Sequence, residues 1–319
     1  MVTAELNASD TGRTAGNFLA TAATQRILDR TYVRKDQVSS PTLDLIIEGD
    51  SHASNWTPYA TALGSMLARQ ATTEGISGQQ SVDIVARQGG KPPLATVVGG
   101  LVPASGGVAV TILGGIRPLR SSGSLSRPAI FGGVAGTLST TDGGVTYTFT
   151  RTAAGFAVPI PSTGSPLVLG TQHRDKFPIL LAPRNDIGKD TASTVYRASI
   201  PEILDRYAAM AKWGAPNGRF LVLSMLPWSD EAPEGTAARL AVDAALRDQS
   251  PQQWLDWAAW LRTDAAFTAA GVTKTAQDTT DIANGITPTS FRVDNGHLNA
   301  AGYAAANPFV ALAISSRGW

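Results

Sequence analysis

The chain has 319 residues, 43% of them hydrophobic and only 16% charged, and its 26 Lys+Arg against 25 Asp+Glu leave a net charge of +1. That length fits one large or two modest domains with an ample core, and the balanced charge offers no global field for nucleic acid or an anionic membrane. The absence of cysteine removes disulfides, thiolate catalysis and cysteine metal sites together.

The first twenty residues, MVTAELNASDTGRTAGNFLA, show no basic start followed by an apolar run, so no Sec signal is expected. No uninterrupted apolar stretch reaches the ~18 residues of a membrane-spanning helix. Residues 1–40 are polar and rich in Thr, Ala and Ser, with one amphipathic helix expected over Asn17–Arg30. They read as an arm or linker outside any core.

From 41 to 95 the signals alternate as in an α/β unit. An apolar strand, Leu43–Ile47, stops at Gly49-Asp50-Ser51, and a helix is expected from Pro58 to Gln70. A second strand is expected over Val82–Ala86, ending at Gly89-Gly90. Between Leu94 and Gly170 only Arg117, Arg120, Arg127, Asp142 and Arg151 carry charge. Short alternating runs such as Val108–Ile112 and Val145–Thr150, separated by Gly-Gly and Asp-Gly-Gly, predict an inserted antiparallel β-module over 96–171. The α/β texture resumes over 172–319. Strands are expected at 177–182 and 220–226, and helices over 194–213 and 235–263. The segment 282–291 reads as loop, and a final helix runs through 298–305 and 309–313. Trp254, Trp257 and Trp260, three residues apart, read as core or groove lining.

Strand, tight small-residue turn and helix present one side chain at the carboxyl edge of a sheet, and here that side chain is Ser51. Three histidines are candidate bases. His52 adjoins Ser51, but neighbours across a turn usually point apart. His173 lies where the β-module returns to the α/β region and either lines a site or is a junction residue. His297 follows Asp294 by three residues, so that the carboxylate can hold one ring nitrogen while the other takes a proton from a serine. The competing reading is that Asp294 and His297 merely cap the last helix. Ser51, Gly90, Asn185 and the Asp294/His297 pair would gather at one carboxyl edge, where the Ser51 and Gly90 amides and the Asn185 side chain could serve an oxyanion.

This ordered set, Gly49-Asp50-Ser51, Gly89-Gly90, Pro183-Arg184-Asn185-Asp186 and Asp294-Asn295-Gly296-His297-Leu-Asn-Ala-Ala-Gly-Tyr, resembles the SGNH (GDSL) hydrolases over 41–95 and 172–319. Pro183 stands where that family's third block opens with glycine. The resemblance implies a flavodoxin-like three-layer α/β sandwich with a parallel sheet, the β-module being an insertion. It implies Ser51 as nucleophile, His297 as base, Asp294 as its orienter, and Ser51, Gly90 and Asn185 as oxyanion donors. Asp50, His52, Gly89, Asp186 and His173 are further candidates for substrate contact.

The implied activity is hydrolysis of short acyl esters, O-acetyl above all, on a polysaccharide. A lipid or short-chain ester hydrolase, and a glycan-binding adhesion module on an inactive scaffold, are the alternatives. The β-module, the polar arm and the missing Sec signal are similar to esterase modules of phage tail proteins. That likeness implies a virion-associated or non-Sec extracellular protein, a homo-oligomer, and a trimer if it is a tail protein; otherwise the chain is cytoplasmic. No nucleic-acid partner, cofactor or metal is expected. Three dispersed histidines make no ligand cluster, and none of the 32 glycines forms a phosphate or dinucleotide loop.

Overall fold

A computed structural model describes residues 43–188 and 196–319. The expected helix Asn17–Arg30 and the arm 1–40 lie outside these residues, as does the start of the helix expected at 194. Strand β1 (Leu45–Gly49) is the centre of the fold. Its five residues are buried, as expected of a parallel strand covered on both faces. It pairs in parallel with β2 (Ala71–Gly75) on one side and β11 (Phe177–Leu181) on the other. Beyond β11 come β12 (Leu221–Leu223) and β13 (Trp254–Leu255), also parallel. Counting only these five strands, the order is 2-1-3-4-5, the flavodoxin-like arrangement.

Helices cover both faces, because alternate side chains of each strand point in opposite directions. Leu45, Ile47, Ile179, Leu221 and Leu223 pack with α1 (Ser51–Met66) and α8 (Ala300–Ser316). Leu180 and Val222 face the other way, toward α2 (Ser81–Gln88), α3 (Ile200–Gly214) and α4 (Pro233–Gln249). Three layers result. None of the described helices is long and apolar enough to cross a membrane.

Several expected elements change identity. Val82–Ala86 belongs to helix α2, not to a strand. Ile84 and Val85 are buried on a short helix, and packing against α3 overrides their strand preference. The second strand is Ala71–Gly75, a half-exposed edge segment without an apolar run. The first helix begins at Ser51 and contains Pro58, rather than starting there. The expected helix over 235–263 stops at Gln249. Trp254 then lies on β13, and Trp257–Trp260 is a separate turn, α5. Trp257 stacks on Trp56 at 5.3 Å, and Trp260 on Phe309 at 4.6 Å. Two short helices, α6 (Asp264–Ala270) and α7 (Ala276–Ala283), fill much of the region before Phe291. The last helix is continuous from Ala300 to Ser316.

Between α2 and β11 the chain forms a closed six-stranded antiparallel barrel, in the order β10-β3-β5-β8-β7-β6. The strands are β3 (Leu94–Val97), β5 (Gly107–Ile112), β6 (Leu125–Phe131), β7 (Val134–Thr140), β8 (Tyr147–Arg151) and β10 (Ser165–Leu169). A small ribbon, β4 (Leu101–Val102) with β9 (Val158–Pro159), lies beside it. Phe131, Leu138, Phe149 and Leu167 fill the barrel. Gly132 and Gly133, both at positive φ, close the two-residue β6–β7 hairpin as such a turn requires. Barrel and sheet lie within one compact unit, Leu43–Trp319.

Candidate active site

Sheet order reverses between β1 and β11, and folds of this type place their sites at the carboxyl ends of the strands beside such a point. Asp50 caps α1 by accepting the His52 N–H at 3.0 Å. Ser51 is therefore the first residue of the helix, where a backbone N–H has no intrahelical acceptor and the helix dipole favours negative charge.

His297 arrives from the loop before α8. Its Nε2 lies 2.8 Å from Ser51 Oγ, and its Nδ1 lies 2.8 Å from Asp294 Oδ2. Asp294 Oδ1 accepts the N–H groups of Gly296 and His297, each at 2.8 Å. Burial alone would raise this carboxyl, but those two amides and the imidazole bring it down to about 2. Asp294 therefore stays ionised and holds the ring with Nδ1–H toward it, leaving Nε2 to accept the serine proton. The capping alternative fails, because the N-cap of α8 is Asn299, whose side chain accepts the Gly302 N–H at 3.0 Å.

Asn185 follows β11 in the turn Arg184–Asp186. Its Nδ2 donates to Asp50 Oδ2 at 3.1 Å and to the Gln79 carbonyl at 3.0 Å. Both amide hydrogens are thus engaged, and one of those bonds must yield before Asn185 can serve an oxyanion. Asp50 is 1% exposed, and burial pushes its carboxyl up to about 6.

Gly90 is not near Ser51. A Cβ there would meet the backbone of Ala209 and Met210 at 2.9 Å, late in α3, whose terminal Gly214 lies against Pro178 at the start of β11. Gly89 is the left-handed cap that ends α2, packed on Leu169 and Trp213. Both glycines belong to the amino edge of the sheet, because α2 runs back from the site. The loop after β2 contributes the Gln79 carbonyl to the site, and Gly78 immediately precedes it. The φ of Gly78 is +77°, and no atom lies within 4 Å of the place a Cβ would take. Sequence reasoning missed this glycine, although Ile76-Ser77-Gly78 directly follows the strand that carries Thr72 and Thr73.

The remaining candidates have other roles. Asp186 caps α2 by accepting from Ser81 N at 2.6 Å and Ser81 Oγ at 2.8 Å, with Arg206 Nη1 at 3.3 Å. Burial pushes it up to about 6. His173 lies 3.2 Å from Glu74 Oε1, in a charge cluster beside the barrel. His52 is 3% exposed, with its ring 5.0 Å from that of His297 and neither nitrogen hydrogen-bonded. Burial, then the charges of His297 and Arg184, lowers it to about 3, so it is no second base. Trp228, after β12, packs its ring against His297 at 5.4 Å, and Arg184 lies over that indole at 5.6 Å. No candidate list drawn from motif spacing includes Trp228, since nothing local ties it to His297.

The arrangement is that of a serine–histidine–aspartate site, and the order and placement of its blocks resemble those of SGNH (GDSL) hydrolases. No protein-family model matches the chain. Over 291 residues it is 28% identical to the tail spike protein of Salmonella phage epsilon15, covering 82% of this chain and 26% of that protein. The chain thus spans about a quarter of the length of this curated relative. Among solved structures it is similar to a GDSL-like lipase from Bacteroides thetaiotaomicron (11% identity, TM-score 0.41, covering 92% of this chain and 98% of that one). It is also similar to a peptidoglycan O-acetylesterase (13% identity, TM-score 0.36, covering 88% and 93%). At such TM-scores the chemical reading rests on Ser51, His297 and Asp294 themselves.

Proposed function

We propose that the chain is a serine esterase that removes short acyl groups, O-acetyl above all, from a polysaccharide. The observation that carries this reading is the 2.8 Å approach of His297 Nε2 to Ser51 Oγ, with Asp294 on the far side of the ring. His297 takes the serine proton as Oγ attacks the ester carbonyl, then returns it to the departing alcohol. Water, deprotonated by the same imidazole, releases the acid from Ser51. The oxyanion is met by the Ser51 N–H at the start of α1, by the Gly78 N–H in place of that of Gly90, and by the Asn185 amide once substrate displaces one of its present acceptors. Trp228 and His52 flank the imidazole, which favours a small acyl group over a long chain.

The test is acetate release from a panel of acetylated polysaccharides and from a chromogenic acetate ester, with Ser51→Ala as control. The substitution should lower kcat by at least about 10⁴-fold. Turnover at the wild-type rate would remove Ser51 from the mechanism, and a preference for long acyl chains would redirect the substrate to lipid.

The likeness to a phage tail spike supports a virion-attached protein that acts as a homo-oligomer on surface glycans. Light scattering of the full chain against residues 41–319 tests whether the arm drives assembly. Equal masses would end that role for the arm.

A further inference from the structure

The barrel and the candidate active site meet through one buried side chain, Gln79, in the loop between β2 and α2. Its side chain faces the barrel: Nε2 donates to the Pro118 carbonyl at 2.8 Å, with the Arg117 carbonyl at 3.5 Å, both in the connection between β5 and β6. Its backbone faces the site, where the Gln79 carbonyl accepts from Asn185 Nδ2 at 3.0 Å. The side-chain Oε1 accepts from Arg87 Nε at 3.0 Å. Arg87 in turn donates from Nη2 to the Gly49 carbonyl at 3.1 Å, two residues before Ser51, and pairs through Nη1 with Glu48 at 2.9 Å.

A second set of bonds runs parallel to the first. Glu74, at the end of β2, receives both Nε and Nη2 of Arg127 from barrel strand β6, each at 2.9 Å. Asp83 of α2 accepts the Arg117 N–H at 2.8 Å. A buried amide or guanidinium deprived of its partner is left unsatisfied at a cost of about 1–3 kcal/mol or more, so these groups hold one arrangement rather than several. Each end of the network terminates on backbone that shapes the site: Gly49 before the nucleophile, and Gln79 beneath Asn185.

We propose that the barrel is a positioning element for the acyl-transfer site and that Gln79 is the positioning residue through which it acts, a proposal that rests on the esterase reading. The barrel holds the 76–80 loop, the loop holds Asn185, and Arg87 holds the turn that presents Ser51. Displacement of either loop by about an ångström suffices to cost about 10²-fold in rate without any change in the reacting groups.

The test uses p-nitrophenyl acetate, with rates expressed per active site titrated by diethyl p-nitrophenyl phosphate. Gln79→Ala removes every side-chain bond. Gln79→Glu keeps the acceptor for Arg87 but sets a carboxylate oxygen against the Pro118 carbonyl. Both should lower kcat by about 10²-fold while KM stays within about twofold. Arg127→Ala, made from the barrel side, should lower kcat in the same direction and serves if the Gln79 variants do not fold. Phe156→Ser, in the connection between β8 and β9 and 94% exposed, should leave kcat unchanged. A merely structural role would reduce the melting temperature and the titratable fraction but leave kcat per site at the wild-type value in all three variants, and that result overturns the proposal. A wild-type chain without Ser51-dependent turnover is a separate result that overturns the esterase reading beneath it.

Discussion

Gly296 lies flat against the indole of Trp228: a Cβ at 296 would come within 2.7 Å of the ring. The same indole meets the edge of His297 at 5.4 Å, and Ser229 N donates to the Asn295 carbonyl at 2.8 Å. The loop that carries both Asp294 and His297 is therefore seated on the segment after β12, and its approach distance is set by the missing side chain at 296.

Gly296→Ala should displace this loop and lower kcat by about tenfold or more, because a small misplacement of the base is costly. Trp228→Phe leaves more room and should restore part of the loss. A double-mutant cycle on kcat/KM reads the coupling between the two positions, and additive effects would show that they act separately.

Asp294→Asn should lower kcat by about 10²- to 10⁴-fold, because the amide no longer fixes Nδ1–H and the wrong nitrogen can face Ser51. The lower end of that range applies if solvent compensates, since the Asp294 side chain is 51% exposed. Steady-state kinetics on an acetate ester measure the loss, with KM expected to change little.

His52 gives a pH signature in stability. Its folded-state value of about 3 lies below the unfolded value near 6.5, so the stability of the neutral ring is complete above pH 6.5 and is lost as the pH falls toward 3. His52→Leu removes the titration without removing a side-chain hydrogen bond, since neither ring nitrogen has a partner. Relative to wild type, the variant should gain about 2 kcal/mol between pH 7 and pH 5 in urea unfolding. An unchanged difference between the two proteins at both pH values would place the charge of His52 elsewhere.

Gly90→Ala separates folding from chemistry at the glycine pair. Its Cβ would press on the Ala209 carbonyl at 2.9 Å, so about 1–3 kcal/mol of stability should be lost to overpacking. The kcat per titrated site should remain that of wild type. A selective fall in kcat would return Gly90 to the oxyanion role.

Much of the site was legible because its strongest signals are local. Asp294 and His297 are three residues apart in one loop, and Ser51 follows the apolar run Leu45-Ile46-Ile47 across a tight Gly49-Asp50 turn, so spacing and strand–turn–helix texture were enough to pick them out. The barrel was legible for a related reason: paired glycines and alternating Thr, Val and Phe punctuate 94–170 at hairpin intervals. The second strand was not, because Ala71–Gly75 is a half-exposed edge with no apolar run, whereas Val82–Ala86 has β-branched residues that are buried in a helix. That single exchange placed the expected oxyanion donor at Gly90, after α2, whereas the loop that follows β2 at the carboxyl edge carries Gly78.

What the sequence by itself determined, then, is the chemistry carried on short spans: a serine after β1, a histidine with its carboxylate before α8, and an all-β insertion between them. The tertiary structure alone decided that the Gly78–Gln79 loop follows an edge strand to meet Asn185, that Trp228 seats the Asp294–His297 loop, and that Gln79 ties the barrel to Asn185 and, through Arg87, to Gly49. These are relationships between residues tens to more than a hundred positions apart, made by buried hydrogen bonds and close packing, and no local period or spacing encodes them.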